Sequence, residues 1–265
     1  MNLQHIHDHI ITIARQAGGV VMQYYEQPIV QSTKSTAADV VTTADKATEK
    51  VIVAELLEHY PQHHIVGEEG GGQGADPELA EYFWYVDPID GTNNFANKIP
   101  HFCTCIALAD KDLNPLVGVV YDPVRDELFS AIRGEGAWCD GVAVRVSETD
   151  DLSRSVVSSG FPYSKWTNDD DNLAEWGRFV KRVRGVRRMG SAALDSAYVA
   201  CGRFEGYWER YINSWDIAAA ALLVLEAGGE VTNYAGETPP RYLEQQEIVM
   251  SNGHIHQEMV KLLTS

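Results

Sequence analysis

The sequence predicts an α/β fold in which helices are layered on two β-sheets. Three observations support it. An amphipathic helical pattern opens the chain, a succession of short strand patterns with short turns follows, and strands alternate with helices after Thr149. Elements in this order bury their apolar faces by stacking helices on sheets. We find no fixed-period repeat, no low-complexity tract and no long linker near residue 150.

The N-terminal region predicts two helices separated by a loop. Residues 3–26 carry apolar side chains at helical spacing: Ile6, Ile10, Ile13, Ala14, Ala17, Val21 and Tyr24. Gln27 to Val40 contains Pro28, Lys34 and several Ser and Thr residues, which predicts an exposed, mobile loop. A second helix is predicted from Thr43 until Pro61 ends it.

The next segments predict a mainly antiparallel sheet, because only short turns separate several of its strands. Its strands are predicted at His64–Val66, Tyr82–Val86, Phe102–Ala109, Pro115–Tyr121, Glu127–Ile132 and Val142–Val146. The alternating region predicts strands at 155–159, 185–189, 205–210, 229–233 and 246–250, and helices at 171–183, 191–202, 215–227 and 254–263.

The charge balance excludes two classes of partner. The chain has 265 residues, 21 basic and 38 acidic side chains and a net charge of −17. Such acidity disfavours direct nucleic-acid binding, which needs cationic side chains against phosphates, and disfavours docking on anionic lipid. We expect a small-molecule enzyme or a protein-binding module, built as a single domain over 1–265 with closely packed lobes of about 1–150 and 151–265.

Targeting signals and cysteines predict a cytoplasmic location. Met1 to Gly19 lacks the features of a signal peptide, and the longest apolar run, Ile217 to Leu225, is about half of a membrane span. Cys103 and Cys105 form a C-x-C pair on a predicted strand, where both side chains point to one face. This spacing is typical of neither zinc sites nor small disulfide frameworks, so we expect reduced, partly buried thiols.

Histidines cluster twice, at His5, His7 and His9 and at His59, His63 and His64. Side chains two residues apart on a helix do not point at one metal ion, and the second cluster straddles a proline that ends a helix. We interpret both clusters as solvated surface.

The segment Asp87-Pro88-Ile89-Asp90-Gly91-Thr92 is the most informative part of the sequence. Pro88 shapes a bend that lets Asp87 and Asp90 face one point. Two close carboxylates repel each other unless a cation lies between them, and hard oxygen ligands suit Mg²⁺ or Mn²⁺. Gly91 allows a tight turn into a short helix whose N–H groups can bind an anion. A plain Asp-Gly turn is the alternative interpretation.

Further acidic residues are compatible with a metal site. Glu68 and Glu69 follow a short apolar strand, although such a segment taken alone is more often a solvated glycine-rich loop. Asp216 opens an alanine-rich helix, where the helix dipole favours an acid whatever its function. Asp45 follows Thr42 at capping-box spacing, which accounts for it without chemistry.

Taken jointly, these motifs strongly resemble the inositol monophosphatase family along essentially the whole chain. The resemblance is carried by 41–45 (VTTAD), 66–69 (VGEE), 87–95 (DPIDGTNNF), 134–137 (GEGA), 188–193 (RMGSAA), 215–218 (WDIA) and 226–229 (EAGG). It implies a layered α-β-α-β-α sandwich of the inositol monophosphatase and fructose-1,6-bisphosphatase type.

The resemblance also implies a role for each site residue. The metal ligands would be Glu68, Asp87, Asp90, Asp216 and the carbonyl of Ile89. Asp45 and Thr92 would orient and help to deprotonate the attacking water, with Glu68 counted among the catalytic residues. The substrate would contact Asp90, Gly91, Thr92, Gly190, Ser191, Ala192 and Glu209. Lys34 lies where the family has a mobile, metal-sensitive loop.

The activity implied by the resemblance is Mg²⁺-dependent hydrolysis of inositol monophosphate by in-line attack of water. Two to three Mg²⁺ ions per site, with Mn²⁺ as an alternative, lithium sensitivity and a homodimer are part of that expectation. Relatives that hydrolyse fructose 1,6-bisphosphate, adenosine 3′,5′-bisphosphate or histidinol phosphate remain alternatives, although Asn93-Asn94 is closer to the inositol branch. A regulatory adaptor of the transcription machinery is an alternative of another class.

Overall fold

The computed structural model of the protein describes residues 1–34, 39–238 and 241–265. The α-helices in these ranges are α1 Leu3–Tyr25, α2 Thr43–His59, α3 Thr92–Ala96, α4 Leu173–Val180, α5 Ala192–Ala200, α6 Ser214–Glu226 and α7 His256–Leu263. The strands are β1 Gln31–Thr33, β2 Val40–Thr42, β3 His64–Gly67, β4 Gly71–Gly74, β5 Tyr82–Asp90, β6 Cys103–Asp110, β7 Pro115–Asp122, β8 Glu127–Ile132, β9 Gly136–Cys139, β10 Val142–Ala143, β11 Val156–Ser159, β12 Gly185–Arg187, β13 Gly206–Arg210, β14 Glu230–Thr232 and β15 Glu247–Ser251.

The first sheet has eight strands in the order β10-β9-β8-β7-β6-β5-β3-β4. All its pairings are antiparallel except that of β3 with β5, so the prediction of a mainly antiparallel sheet is confirmed. Apolar side chains of α1 and α2, among them Ile10, Ile13 and Leu56, pack on one face of this sheet. Helices α5 and α6 cover the other face.

The second sheet has five strands in the order β12-β11-β13-β15-β14. Helix α5 packs against β11 and β13, and α4 and α7 cover the opposite face through a core that contains Phe179 and Trp208. Residues Ile217 to Val224 of α6 are all buried, as expected of a helix that is apolar on every side and enclosed between two sheets. The layers alternate as α-β-α-β-α, which confirms the predicted fold class.

Local pairing changes several predicted elements. The loop predicted at 27–40 contains β1 and pairs it with β2, while residues 35–38 lie outside the described ranges. Strand β4 has the sequence Gly-Gly-Gln-Gly, which has low strand propensity and forms only because β3 supplies its hydrogen-bonding partner. The strand predicted at Val142–Val146 ends at Ala143, and β9 was not predicted.

The interpretation of both histidine clusters as solvated surface is wrong in part. His7 and His64 are buried, and His64 Nδ1 lies 2.8 Å from the carbonyl oxygen of Ala75. His9 of α1 contacts His59 of α2, because the two helices pack side by side and bring residues 50 positions apart into contact. Sequence spacing along one helix does not reveal such a contact.

The described parts of the chain include no helix that is both long and apolar enough to cross a membrane. The four cysteines are free thiols. Cys103 and Cys105 are buried with their Sγ atoms 3.7 Å apart, which confirms that they point to the same face of β6.

Candidate active site

A β-bulge at the end of β5 brings two carboxylates to the same side of the sheet. Asp87 pairs with Cys105 and Asp90 pairs with Cys103, so three steps on β5 match two steps on β6. Side chains of a regular strand alternate, and residues three apart would point to opposite faces. The extra residue, which lies between Asp87 and Asp90, cancels the alternation. The Thr104 hydroxyl donates to the Pro88 carbonyl at 2.9 Å and holds the bulge in place.

Two further carboxylates reach this point from other elements. Strand β3 runs parallel to β5, so Glu68, which follows β3, emerges at the same edge of the sheet as Asp87. The Glu68 N–H donates to the Val86 carbonyl at 3.1 Å. Asp216 belongs to the first turn of α6, where it accepts the Asn213 N–H at 2.9 Å in a capping box. All four carboxylates line one pocket.

The four carboxylates destabilise one another's charges. Burial raises the pKa of Asp87 well above its usual range, and the charges of three neighbours raise it further: Glu68, Asp90 and Asp216. Burial also raises the pKa values of those three groups. The side-chain interaction between Glu68 and Asp87 raises the pKa of Asp87 and lowers that of Glu68. Such a set of hard oxygen donors is suited to divalent cations, which would neutralise it.

Asp90 is fixed more firmly than its neighbours. Its Oδ2 accepts the Ser191 hydroxyl at 2.6 Å and the Ala193 N–H at 2.7 Å, so the start of α5 orients it. The Cys103 Sγ lies 3.8 Å from the same oxygen. Burial raises the pKa of Cys103 and Cys105. Both remain thiols, which are poor metal ligands.

Asp45 and Thr92 lie beside the carboxylates and contact each other. Asp45 is fully buried and forms the predicted capping box, accepting the Thr42 N–H at 2.8 Å. Its other oxygen lies 3.1 Å from Thr92 Oγ1, which is 2.9 Å from the Ile89 carbonyl oxygen. Burial raises the pKa of Asp45 to about 6, against the opposing effect of its hydrogen bonds from Thr42. Asp45 therefore links the cap of α2 to the pocket.

Gly91 joins β5 to α3 at a φ of +95°, a conformation that strongly favours glycine. A Cβ there would lie 3.1 Å from the carbonyl oxygens of Gly190 and His101, so the turn also needs the missing side chain. The Asn94 amide donates to the Met189 carbonyl at 2.8 Å and ties α3 to the turn before α5. Gly91, Thr92, Gly190, Ser191 and Ala192 consequently line the same pocket.

Glu209, on β13, lines the other side of the pocket. It accepts a short hydrogen bond from the Tyr207 hydroxyl. Burial raises its pKa to about 7, while Tyr207 and Arg188 act in the opposite direction. A Cβ on Gly160 would overlap the Glu209 carboxylate, at 2.0 Å from its Oε1. Glycine at position 160 is therefore what admits this carboxylate.

Lys34 is not among the residues that line the pocket, but it reaches the carboxylate cluster. Its Nζ lies 2.8 Å from Glu68 Oε1 and contacts Glu69. Burial lowers the pKa of Lys34, but the two glutamates more than offset this and raise it overall. In this conformation the ammonium group neutralises part of the carboxylate cluster.

The structure adds site residues that sequence reasoning missed. Buried Glu49 accepts the N–H groups of Glu69 and Gly70 at 2.8 and 2.6 Å, and so shapes the turn that carries Glu68. The sequence offered one signal for Glu49: it lies one helical turn after Asp45, on the buried face of α2. Asp195 lines the pocket and lies 2.9 Å from His101 Nε2. Nothing in the local sequence singled it out.

The chain is similar to known proteins along most of its length. The Inositol monophosphatase family matches residues 2–265. The chain is 42% identical to the Nus factor SuhB of Pseudomonas aeruginosa, over 90% of this chain and 88% of that protein. It is 42% identical to an inositol-1-monophosphatase of Synechocystis, over 88% of this chain and 79% of that protein.

Solved structures of inositol monophosphatases are also similar to this chain. The inositol monophosphatase of Anabaena (Nostoc) is 40% identical, with a TM-score of 0.89 over 100% of this chain and 97% of that one. An IMPase/NADP phosphatase complexed with Mg²⁺ and phosphate is 27% identical, with a TM-score of 0.85 over 99% of this chain and 96% of that one. The layered fold of this chain is the one that these phosphatase structures share. The chain belongs to the inositol monophosphatase family.

Proposed function

We propose that the protein is a Mg²⁺-dependent phosphomonoesterase that hydrolyses inositol monophosphate to inositol and phosphate. The observation that carries this proposal is the convergence of four carboxylates on one pocket, beside the glycine turn that begins α3. The identity of 42% to the inositol-1-monophosphatase of Synechocystis supports the same substrate class. The metal in the relative complexed with Mg²⁺ and phosphate supports the choice of ion.

The carboxylate pocket suits two to three Mg²⁺ ions, or Mn²⁺ in their place. We propose Glu68, Asp87, Asp90, Asp216 and the Ile89 carbonyl as the ligands. Bound cations would supply Lewis-acid polarisation of the phosphate and a more acidic water. They would also reverse the local negative charge, which otherwise repels a phosphomonoester dianion.

The protein supplies a route for the proton of the attacking water. The Thr92 hydroxyl proton is directed at two acceptors, Asp45 Oδ1 and the Ile89 carbonyl oxygen, at 3.1 and 2.9 Å. The Thr92 oxygen can therefore accept a hydrogen bond from water. We propose that Thr92 takes the water proton as it passes its own proton to Asp45, while the water oxygen forms a bond to phosphorus and the P–O bond of the ester breaks. The inositol oxygen leaves and takes up a proton from solvent water.

The rest of the pocket suits an anion and a polyol. The first N–H groups of a helix have no intrahelical partner, so those of Gly91 and Thr92 are suited to bind the phosphate. The turn Gly190-Ser191-Ala192 and Glu209 would contact the inositol hydroxyls. A carboxylate that accepts two hydroxyl hydrogen bonds would select a polyol over an apolar leaving group.

Substitution of Asp90 by asparagine tests the proposal. The asparagine side chain is of the same size and can still accept the Ala193 N–H, so we expect a folded protein that has lost turnover by orders of magnitude. Activity is measured on inositol 1-phosphate with Mg²⁺, and folding by thermal melting in EDTA. Asp112→Asn, an exposed change of the same chemistry, is the control. Near-normal turnover in Asp90→Asn would refute the site assignment.

A substrate panel separates inositol monophosphate from the alternatives. We expect kcat/KM to be highest for inositol monophosphate among fructose 1,6-bisphosphate, adenosine 3′,5′-bisphosphate and histidinol phosphate. A higher kcat/KM for any of the other three compounds would contradict inositol monophosphate as the substrate but would still support metal-dependent hydrolysis of a phosphate ester. Lithium inhibition, also expected from the resemblance, is checked by titrating Li⁺ in the same assay.

A regulatory role in transcription is a second candidate, favoured by the identity of 42% to a relative named Nus factor SuhB. The net charge of −17 suits a basic protein partner better than RNA. Binding to purified RNA polymerase with Nus factors tests it, with wild type and Asp90→Asn side by side. Equal binding by both would support an adaptor role independent of catalysis, and no binding by either would contradict it.

Assembly and location stay predictions with simple tests. We propose a homodimer, which light scattering after size-exclusion chromatography would detect as twice the chain mass of 29.4 kDa. We also propose a cytoplasmic location, which the four free thiols support, since reducing compartments keep thiols unpaired. Fractionation of cells that express the protein tests the location.

A further inference from the structure

A second cluster of metal-binding side chains lies on the outer helical layer, formed by His9 of α1 with Glu55 and His59 of α2. One ligand atom of each residue lies within 4.8 Å of those of the other two. The rings of His9 and His59 are 4.4 Å apart, edge to face. Glu55 and His59 are one helical turn apart, with His59 Nδ1 3.9 Å from Glu55 Oε2. The three residues share a surface where the two helices pack.

Hydrogen bonds orient both imidazoles and leave a nitrogen of His59 free to bind a metal ion. His59 Nδ1 lies 3.0 Å from the Glu55 carbonyl oxygen, which can only accept a hydrogen bond, so this nitrogen carries the proton. Nε2 of His59 therefore holds the lone pair, and protein metal sites commonly fix a histidine ligand in this way. His9 Nδ1 lies 2.9 Å from the Tyr60 hydroxyl, which can donate or accept and so holds the ring in place in either tautomer.

We propose that His9, Glu55 and His59 form a surface Zn²⁺ site that bridges α1 and α2, with water completing the coordination. Two imidazoles and one carboxylate are a common ligand set for zinc and a poor one for Mg²⁺. Ligand atoms of a tetrahedral zinc site lie about 3.3 Å apart. The side chains must therefore close by up to about 1.5 Å, which their exposure permits, at 46% for His59 and 35% for Glu55.

The cluster lies at the edge of the packing between α1 and α2, which apolar side chains of both helices form. A bound ion would hold the N-terminal half of α1 against the C-terminal end of α2.

Zinc binding to the full-length chain in excess Mg²⁺ tests the proposal. We expect equilibrium dialysis to show one Zn²⁺ fewer per chain in His9→Gln and in His59→Gln than in wild type, with affinity weakened by at least about tenfold. Zn²⁺ should also raise the melting temperature of wild type more than that of either variant. His254→Gln, which removes an exposed histidine paired with Glu148, is the matched control and should bind like wild type.

Asp90→Asn separates this site from the proposed catalytic pocket. It should keep the zinc ion that His59→Gln loses. If Asp90→Asn loses that ion and the histidine variants keep it, the ion belongs to the catalytic pocket and the proposal is overturned. Equal zinc stoichiometry in wild type, His9→Gln and His59→Gln would overturn it as well.

Discussion

Buried His256, at the start of α7, should make the stability of the protein depend on pH. The Thr232 hydroxyl donates to the Asn233 carbonyl at 2.8 Å, so its oxygen accepts the proton of His256 Nε2, also at 2.8 Å. His256 Nδ1 then accepts the Ser251 hydroxyl at 2.8 Å. The network suits a neutral ring, and burial lowers the pKa of His256 to about 4.

The sign of the effect follows from proton linkage. An unfolded histidine binds a proton near pH 6.5, well above the pH at which folded His256 does, so lowering the pH favours the unfolded chain. Stability is fully present above about pH 6.5, falls as the pH is lowered, and levels off below about pH 4. The full effect is about 3 kcal/mol, of which about 2 kcal/mol is lost between about pH 7 and about pH 5.

Urea unfolding of wild type and His256→Gln measures this contribution. Glutamine can accept from Ser251 and donate to Thr232 but does not titrate. The carboxylates of the pocket have raised pKa values and act in the opposite direction, but they are present in both proteins and cancel in the comparison. We expect wild type to lose about 2 kcal/mol more than the variant between about pH 7 and about pH 5 in EDTA. Equal losses would refute the reasoning.

Three further predictions concern the pocket. Asp87→Asn removes repulsion between Asp87 and the neighbouring carboxylates, so it should raise the melting temperature in EDTA by roughly 2–4 °C for each kcal/mol of repulsion removed. Mg²⁺ should raise the melting temperature of wild type further but not that of Asp87→Asn. Gly160→Ala should displace the Glu209 carboxylate and raise KM for inositol 1-phosphate on the order of tenfold or more, with the metal-induced thermal shift unchanged. Gly91→Ala should lower both kcat and stability, because left-handed strain of about 1–2 kcal/mol adds to close contacts with two carbonyl oxygens.

Two glycines elsewhere serve as controls. Gly177 of α4 has no atom within 4 Å of an added Cβ, so Gly177→Ala should leave KM unchanged. Gly228 has a φ of +90° and open space around an added Cβ, so Gly228→Ala isolates strain from steric contact. If Gly91→Ala is no worse than Gly228→Ala in stability and turnover, the packing argument fails. A lower melting temperature of Asp87→Asn in EDTA would contradict the repulsion argument.

Much of the fold and the composition of the pocket could be predicted from local sequence. Helical periodicity predicted α1 to within one residue, because an amphipathic face records which side is buried. The Asp-x-x-Asp-Gly turn and the acidic residue at the start of α6 could be identified because bulge, turn and cap each depend on a few adjacent residues. Short strands without strand propensity, such as β4, could not, since only their neighbour stabilises them.

The sequence by itself determined most of the helices and strands and the family resemblance. Only the tertiary structure decided which side chains meet. Glu49 supports the turn that carries Glu68, and His9 meets His59, through contacts between elements distant in the chain. The physical reason is that periodicity specifies which face of an element is buried but not which partner buries it. Partners follow from the packing of whole layers.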